Sequence, residues 1–368
     1  MTKAAVCKEV GAPLEVLDVD LDAPKAGEVR LQLGASGVCH SDLSVTNGTL
    51  PVPLPAVLGH EGAGTVTQVG DGVDHLEIGD HVVISWVPQC GACYFCKHDQ
   101  GELCEVGTAA SMSGGMLDMT TRFSIDGQPL NVMAASGTFS EETVVPAIGA
   151  VKISDDIPLT GAALIGCGVL TGFGAATNTA SIRRGDTIAV IGCGGVGLNV
   201  IQGAKHAGAG RIIAIDMVDG KLATAVQFGA TDTVNAGAGD PVAQVMELSG
   251  GRGADVAFEV IGLGPTIDQA FQMTRRGGQA IMVGVPGFDV TMQITPAMDL
   301  LVQEKQIRGC WYGSSNVHRD VPMLAQLYRD GVLKLDELIS REITLDQVND
   351  ALANMGSGEI ARSVIKYS

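Results

Sequence analysis

The chain has 368 residues, enough for two domains of about 150 residues each, and its core needs no disulfide staples. Apolar residues make up 46% and charged residues 17%, a balance that excludes disorder. Lys and Arg total 23 against 41 Asp and Glu, a formal charge of −18 that would repel a phosphate backbone and excludes nucleic acid as a partner.

The opening residues, MTKAAVCKEVGAPLEVLDV, alternate small apolar residues with charges. They contain no apolar segment of the kind that directs export, so a cytoplasmic location is expected. Short alternating or β-branched runs at 28–33, 64–69 and 81–86, separated by Gly and Pro, predict an all-β module up to about residue 151. Within it, Cys90, Cys93, Cys96 and Cys104 crowd into fifteen positions. Four soft ligands with no open position describe a closed, tetrahedral structural zinc. An iron–sulfur cluster is the rival for four cysteines, but the lobe is short and no second cluster motif accompanies it. Four merely buried thiols would not be interleaved with Lys97, His98, Asp99, Gln100 and Glu102. The cysteine count is nine, and in a reducing compartment metal ligation is favoured over disulfides.

Residues 157–182 form an uncharged run long enough to span a bilayer. Pro158, five glycines and four threonines make it read instead as buried structure, and no membrane partner is expected. From residue 183 the rhythm changes. Strand-like runs at 187–191, 211–215, 255–260 and 279–283 alternate with helical stretches, among them 196–207 and 221–228, a repeated βα unit that predicts a parallel, doubly wound sheet. Helices at 322–330 and 345–354 and a strand at 363–366 close the chain. The hexamer Gly192-Cys193-Gly194-Gly195-Val196-Gly197 follows a strand, opens a helix, and lies 19 residues before Asp216. That context is the dinucleotide fingerprint: Gly192 turns the chain, Gly194 admits the pyrophosphate, and Gly197 lets helix and strand approach. Asp216 would accept hydrogen bonds from the adenosine ribose hydroxyls and repel a 2′-phosphate. No Arg stands at 217–219, so NAD is expected rather than NADP.

Cys39, His60 and Cys167 are further candidate ligands, although taken singly each reads equally well as a buried thiol or a core histidine. Together the motifs Cys39-His40-Ser41-Asp42, Gly59-His60-Glu61, the four-cysteine lobe, Gly166-Cys167-Gly168 and the glycine fingerprint resemble the zinc-containing medium-chain alcohol dehydrogenase family. The likeness runs from Lys3 to the carboxyl end. The stretch 121–140 is similar to the insert of the dimeric class I and class III branch, which includes bacterial thiol-dependent formaldehyde dehydrogenases.

The resemblance implies a GroES-like, partly open β-barrel catalytic domain over 1–168 with the structural zinc lobe, a Rossmann NAD-binding domain over 169–311, and a return to the catalytic domain over 312–368. It implies two zinc ions per chain, with a catalytic zinc on Cys39, His60 and Cys167 and its fourth position open. Asp42 would orient His60, Glu61 would lie behind the metal, and Ser41 would take the alcohol proton. In class I enzymes a histidine three positions beyond the relay serine passes that proton on, and here the place is Ser44. Thr171, Val196 and Val285 would flank the nicotinamide, His40 and Arg362 the pyrophosphate, Gly195 the helix start, and Lys221 the adenosine ribose. Leu50, Trp86, Met133 and Trp311 would line an apolar pocket. The expected activity is reversible NAD-linked oxidation of an apolar aliphatic, allylic or aromatic primary alcohol to the aldehyde by a homodimer. One alternative is oxidation of a formaldehyde adduct of a thiol other than glutathione, because the arginine that class III enzymes carry just past the lobe is absent from 105–110. A remote alternative is a catalytically silent NAD- or zinc-binding interaction protein, which the completeness of the site argues against.

Overall fold

A computed structural model describes residues 1–355 and 362–367. The chain divides into two compact units, one of Met1–Cys167 with Asn316–Ser368 and one of Gly168–Ser315.

In the first unit ten strands lead up to Lys152: Thr2–Cys7 (β1), Glu15–Leu21 (β2), Glu28–Gly37 (β3), Ala56–Val57 (β4), Glu61–Val69 (β5), His81–Ile84 (β6), Phe123–Ile125 (β7), Gln128–Val132 (β8), Glu142–Pro146 (β9) and Ala150–Lys152 (β10). Strands β1, β2, β7, β8 and β4 close into a small barrel. Around β3 a second sheet is built with β5, β6, β9 and β10, and alternation along β3 turns Val29, Leu31 and Leu33 into an apolar cluster with Val66, Val82 and Val145. The same unit also holds helices, including His40–Thr46 and Glu105–Ser113, so the all-β expectation was too simple. Those helices are short and carry Ser, Thr and Gly, so their apolar periodicity is too brief to register.

The second unit is a six-stranded, wholly parallel sheet of Thr187–Ile191 (β11), Arg211–Asp216 (β12), Asp232–Asn235 (β13), Ala254–Glu259 (β14), Thr274–Met282 (β15) and Gln306–Gly309 (β16). Its order, β13-β12-β11-β14-β15-β16, is that of the doubly wound dinucleotide fold, with the reversal of strand order between β11 and β14. Every residue of β11 is buried, as expected of a central parallel strand covered on both faces. The fold class read from the sequence therefore holds: a parallel Rossmann sheet in a chain whose other unit is GroES-like.

The uncharged run forms the helical segment Leu159–Thr179, most of it buried. It passes the length and composition test for a membrane span, as the core helix of a globular protein also does. Two stretches in it, Ile165–Val169 and Ala175–Thr179, are π-helical. After the sheet, helix Val317–Arg329 begins five residues before the expected start. Proline at a first helical position is the usual signal, but here Pro322 sits inside the helix. Strands Arg341–Ile343 (β17) and Ser363–Lys366 (β18) pair with each other, and β18 pairs with β3.

Candidate metal centres and cofactor site

Among the described residues two groups of ligating side chains come together, and each has its ligand atoms within 4.8 Å of one another. The first is Cys90, Cys93, Cys96 and Cys104. A zinc–sulfur distance of about 2.3 Å gives a tetrahedron with edges of about 3.8 Å. The Cys90–Cys96 and Cys93–Cys104 sulfurs lie 4.0 Å apart, so the set fits that ion. Backbone N–H groups of Cys90 and Gly107 donate to Cys104 Sγ at 3.4 Å, and that of Cys93 to Cys90 Sγ at 3.4 Å. These are the donors a thiolate needs. A backbone hydrogen bond from Cys96 is the largest influence lowering the Cys93 thiol to about 6.

The second group is Cys39, His60, Glu61 and Cys167, all buried. Its geometry starts at helix His40–Thr46. Asp42 Oδ2 accepts the Cys39 N–H at 2.9 Å, capping the helix start. Asp42 Oδ1 accepts the Gly59 N–H at 3.1 Å and meets His60 Nδ1 at 3.3 Å. One fully buried carboxylate thus fixes the ligand Cys39 and the ring of His60, whose Nε2 is left for a metal. Cys167 arrives on the first π-helical stretch, an irregularity frequent at functional sites. A hydrogen bond from Cys167 holds Cys39 well below the ordinary thiol range, and the same bond pushes Cys167 well above it. A divalent ion bound between them would hold both sulfurs as thiolates. Two thiolates and a neutral imidazole are the ligand set of an open, four-coordinate catalytic zinc.

Glu61 is fully buried. Its Oε1 pairs with Arg362 Nη2 at 2.8 Å, while Oε2 meets no donor among the described residues. Burial raises this carboxyl to about 7, against the pull of Arg362. Arg362, expected beside a pyrophosphate, is itself buried and also donates to the Val38 carbonyl at 3.3 Å. Its partner Glu61 is 301 residues away, a pairing that no local sequence signal gives. Ser41 Oγ lies 3.9 Å from Cys39 Sγ. Ser41 and Ser44 are half-buried on one helix, and His40 is exposed. Leu50 and Met133 belong to one apolar cluster. Trp86 is half-buried, and its carbonyl accepts from Ser111 Oγ.

In the sheet unit, Gly192 has φ +99° and a side chain at Gly197 would run into the Gly192 carbonyl, whereas Gly194 faces open space. Asp216, at the end of β12, accepts Cys193 N–H at 2.9 Å and Val218 N–H at 3.1 Å. The acid is thereby clasped to the glycine turn. Thr171, Gly195, Val196 and Lys221 are half-buried, while Trp311 and Val285 are exposed, at 41% and 70%.

A fold of this kind with a closed set of four cysteines and an open set of two cysteines and a histidine defines a zinc-binding oxidoreductase. The alcohol dehydrogenase GroES-like domain matches residues 25–155, and the zinc-binding dehydrogenase domain matches residues 195–329. Over its full length the chain is 39% identical to an NDMA-dependent alcohol dehydrogenase of Amycolatopsis methanolica, covering 99% of that protein. It is also 39% identical to an S-(hydroxymethyl)glutathione dehydrogenase of Synechocystis, with 100% of both chains covered. The crystal structure of benzyl alcohol dehydrogenase from Acinetobacter calcoaceticus superposes with a TM-score of 0.94 at 32% identity, covering 100% of this chain and 99% of that one. The chain belongs to the zinc-containing medium-chain alcohol dehydrogenase family.

Proposed function

We propose that this enzyme is an NAD-dependent dehydrogenase of apolar primary alcohols, with one structural and one catalytic zinc. The observation that carries the reading is the buried Cys39–His60–Cys167 set with its imidazole held by Asp42. When bound, zinc supplies a Lewis acid for the alcohol oxygen and NAD supplies the hydride acceptor. Cys39, His60 and Cys167 hold the metal, and Cys90, Cys93, Cys96 and Cys104 hold the structural ion. Glu61 and Arg362 form a neutralised buried pair behind the first set. Asp216 receives the adenosine ribose. Within the unit that holds the metal sets, Leu50, Trp86 and Met133 give the substrate apolar side chains, and within the sheet unit Thr171, Val196 and Val285 serve the nicotinamide and Lys221 the ribose. The catalytic domain is 1–168 with 312–368, and the Rossmann domain is 169–311.

Ser41 Oγ takes the alcohol proton. Ser44, three residues on and on the same helical face, is a neutral link toward water, because a hydroxyl cannot store a proton near neutral pH as an imidazole does. Ser41→Ala is expected to lower turnover about 10²-fold, within the range of general acid–base contributions, and Ser44→Ala to change it little. Stopped-flow kinetics with zinc content checked decides this. Equal losses would make Ser44 an essential relay member.

The substrate class is tested by following NADH absorbance against aliphatic, allylic and aromatic alcohols, with and without NDMA as acceptor, and against formaldehyde with and without thiols. Preference for a formaldehyde–thiol adduct over every free alcohol would favour the second reading, which the S-(hydroxymethyl)glutathione dehydrogenase relative supports. Against glutathione itself stands the helix Glu105–Ser113, which carries no basic residue. Nine free cysteines suit a reducing cytoplasm.

We also propose a homodimer. Strand β16 is the edge of the parallel sheet, and between β15 and β16 the chain exposes Phe288 at 88% and Leu301 at 77%, with Met298 and Val302 also exposed. An open strand edge beside exposed apolar side chains is an association surface. Leu301→Asp is expected to shift the sedimentation coefficient from dimer to monomer at micromolar concentration, and an unchanged dimer would place the interface elsewhere.

A further inference from the structure

Glu259 is a fully buried carboxylate that ends strand β14, after the buried apolar residues Val256, Ala257 and Phe258. Its Oε1 accepts three hydrogen bonds, from Ile261 N–H at 2.9 Å, Gly262 N–H at 2.8 Å and Thr266 Oγ1 at 2.8 Å. Its carbonyl oxygen accepts Val283 N–H at 2.9 Å and Gly284 N–H at 3.0 Å from the loop after β15. The carboxylate thus holds the loop after β14, while the loop after β15 bonds the carbonyl that any residue at 259 would offer and packs against the first loop. The contact between them is close. A Cβ on Gly262, which has φ +89°, would stand 2.5 Å from the Val285 carbonyl, and one on Gly284 would strike Gly262 N. The β14 loop also reaches the glycine turn. A Cβ on Gly192 would meet Ile261 Cγ1 at 2.8 Å, and Val260 N–H donates to the Ile191 carbonyl at 3.0 Å.

The remaining oxygen, Oε2, is buried and meets no donor among the described residues. A half-satisfied buried carboxylate is a costly way to hold a loop if stability alone were served. Its place in the sheet gives it another use. On the NAD reading, which this inference rests on, Asp216 at the end of β12 takes the adenosine ribose and the turn after β11 takes the pyrophosphate. Strand order then leaves the nicotinamide half only the other side of the reversal, over the ends of β14 and β15. We propose that Glu259 is a positioning residue for the nicotinamide half of the cofactor, its side chain fixing residues 261–262 so that they form one wall with the loop at 283–285 packed against them.

The test compares NADH with ADP-ribose, which lacks the nicotinamide, by fluorescence and calorimetric titration of the zinc-loaded enzyme. Glu259→Leu removes every side-chain acceptor. It is expected to weaken NADH about ten-fold or more, the equivalent of one or two net hydrogen bonds, and ADP-ribose less than about two-fold. Glu259→Gln keeps a carbonyl acceptor and is expected to restore NADH to within about three-fold of the parent. Equal weakening of both ligands in Glu259→Leu, or of neither, overturns the proposal. Should circular dichroism show that Glu259→Leu is unfolded, Gly262→Ala pries the same two loops apart. The same selective loss of NADH supports the proposal, and a uniform loss or none overturns it. A parent enzyme that binds neither ligand refutes the NAD reading itself, before any substitution is made.

Discussion

Cys167→Ala should give a chain that carries one zinc instead of two and turns over about 10³-fold or more slowly, since a Lewis acid contributes several kcal/mol and about 4 kcal/mol corresponds to that factor. The retained ion is the one on the four-cysteine lobe, whose ligands share no residue with the Cys39, His60 and Cys167 set. Asp42→Ala should act through the same metal more gently, weakening its binding by about 10- to 100-fold, because the carboxylate orients the ligand ring rather than ligating. Cys104→Ala should instead lower thermal stability, since Cys104 is wholly buried and anchors a loop with few apolar contacts of its own. Elemental analysis, kcat and Tm on the same preparations check all three. Mild chelation should likewise abolish activity before it unfolds the chain. Two zinc ions retained in Cys167→Ala, or iron in the lobe, would defeat this assignment.

Asp216→Gly should weaken NAD by about 10²-fold, the loss of two charge-assisted hydrogen bonds of about 1.5 kcal/mol each, and should affect NADP far less. Discrimination falls because the substitution removes both an acceptor for the ribose hydroxyls and a charge that repels a 2′-phosphate. The carboxylate has a second duty, since it receives the N–H groups of Cys193 and Val218. Part of the loss therefore comes from a loosened glycine turn, and Asp216→Asn, which keeps an oxygen acceptor, separates the two effects. Comparison of kcat/KM for NAD and NADP provides the readout. A parent enzyme that prefers NADP would contradict the assignment at once.

What was legible in the sequence follows the range of each interaction. The cysteine lobe and the glycine fingerprint were readable because their geometry is set by spacing within fifteen residues and within a single turn. Strand β11 announced itself as a continuous apolar run bounded by Gly185 and Gly192. Cys39, His60 and Cys167 stand 21 and 107 residues apart. No periodicity relates them, and only likeness to a family joined them before the fold did. The pairing of Arg362 with Glu61 had no local signal either, because it depends on a strand pairing across more than three hundred residues. Glu259 left one faint signal, a charged residue between Phe258 and Val260 in the strand-like run 255–260. Such a residue is expensive unless something is done with it.

The unit of Met1–Cys167 and Asn316–Ser368 is assembled from two separated stretches of chain, whereas Gly168–Ser315 is continuous. Strand β18 joins the sheet at β3, opposite residues 35–37, and Arg362 immediately before it neutralises Glu61. On a ribosome emitting about 5–20 residues per second, the continuous unit can finish folding while the first unit still waits for its closing strand. During that interval β3 offers an unpaired edge along residues 35–37, and Glu61 is without its countercharge. Residues 362–366 are therefore what completes the folding of the first unit. Cys39 and His60 acquire their final surroundings only after residues 362–366 have been made.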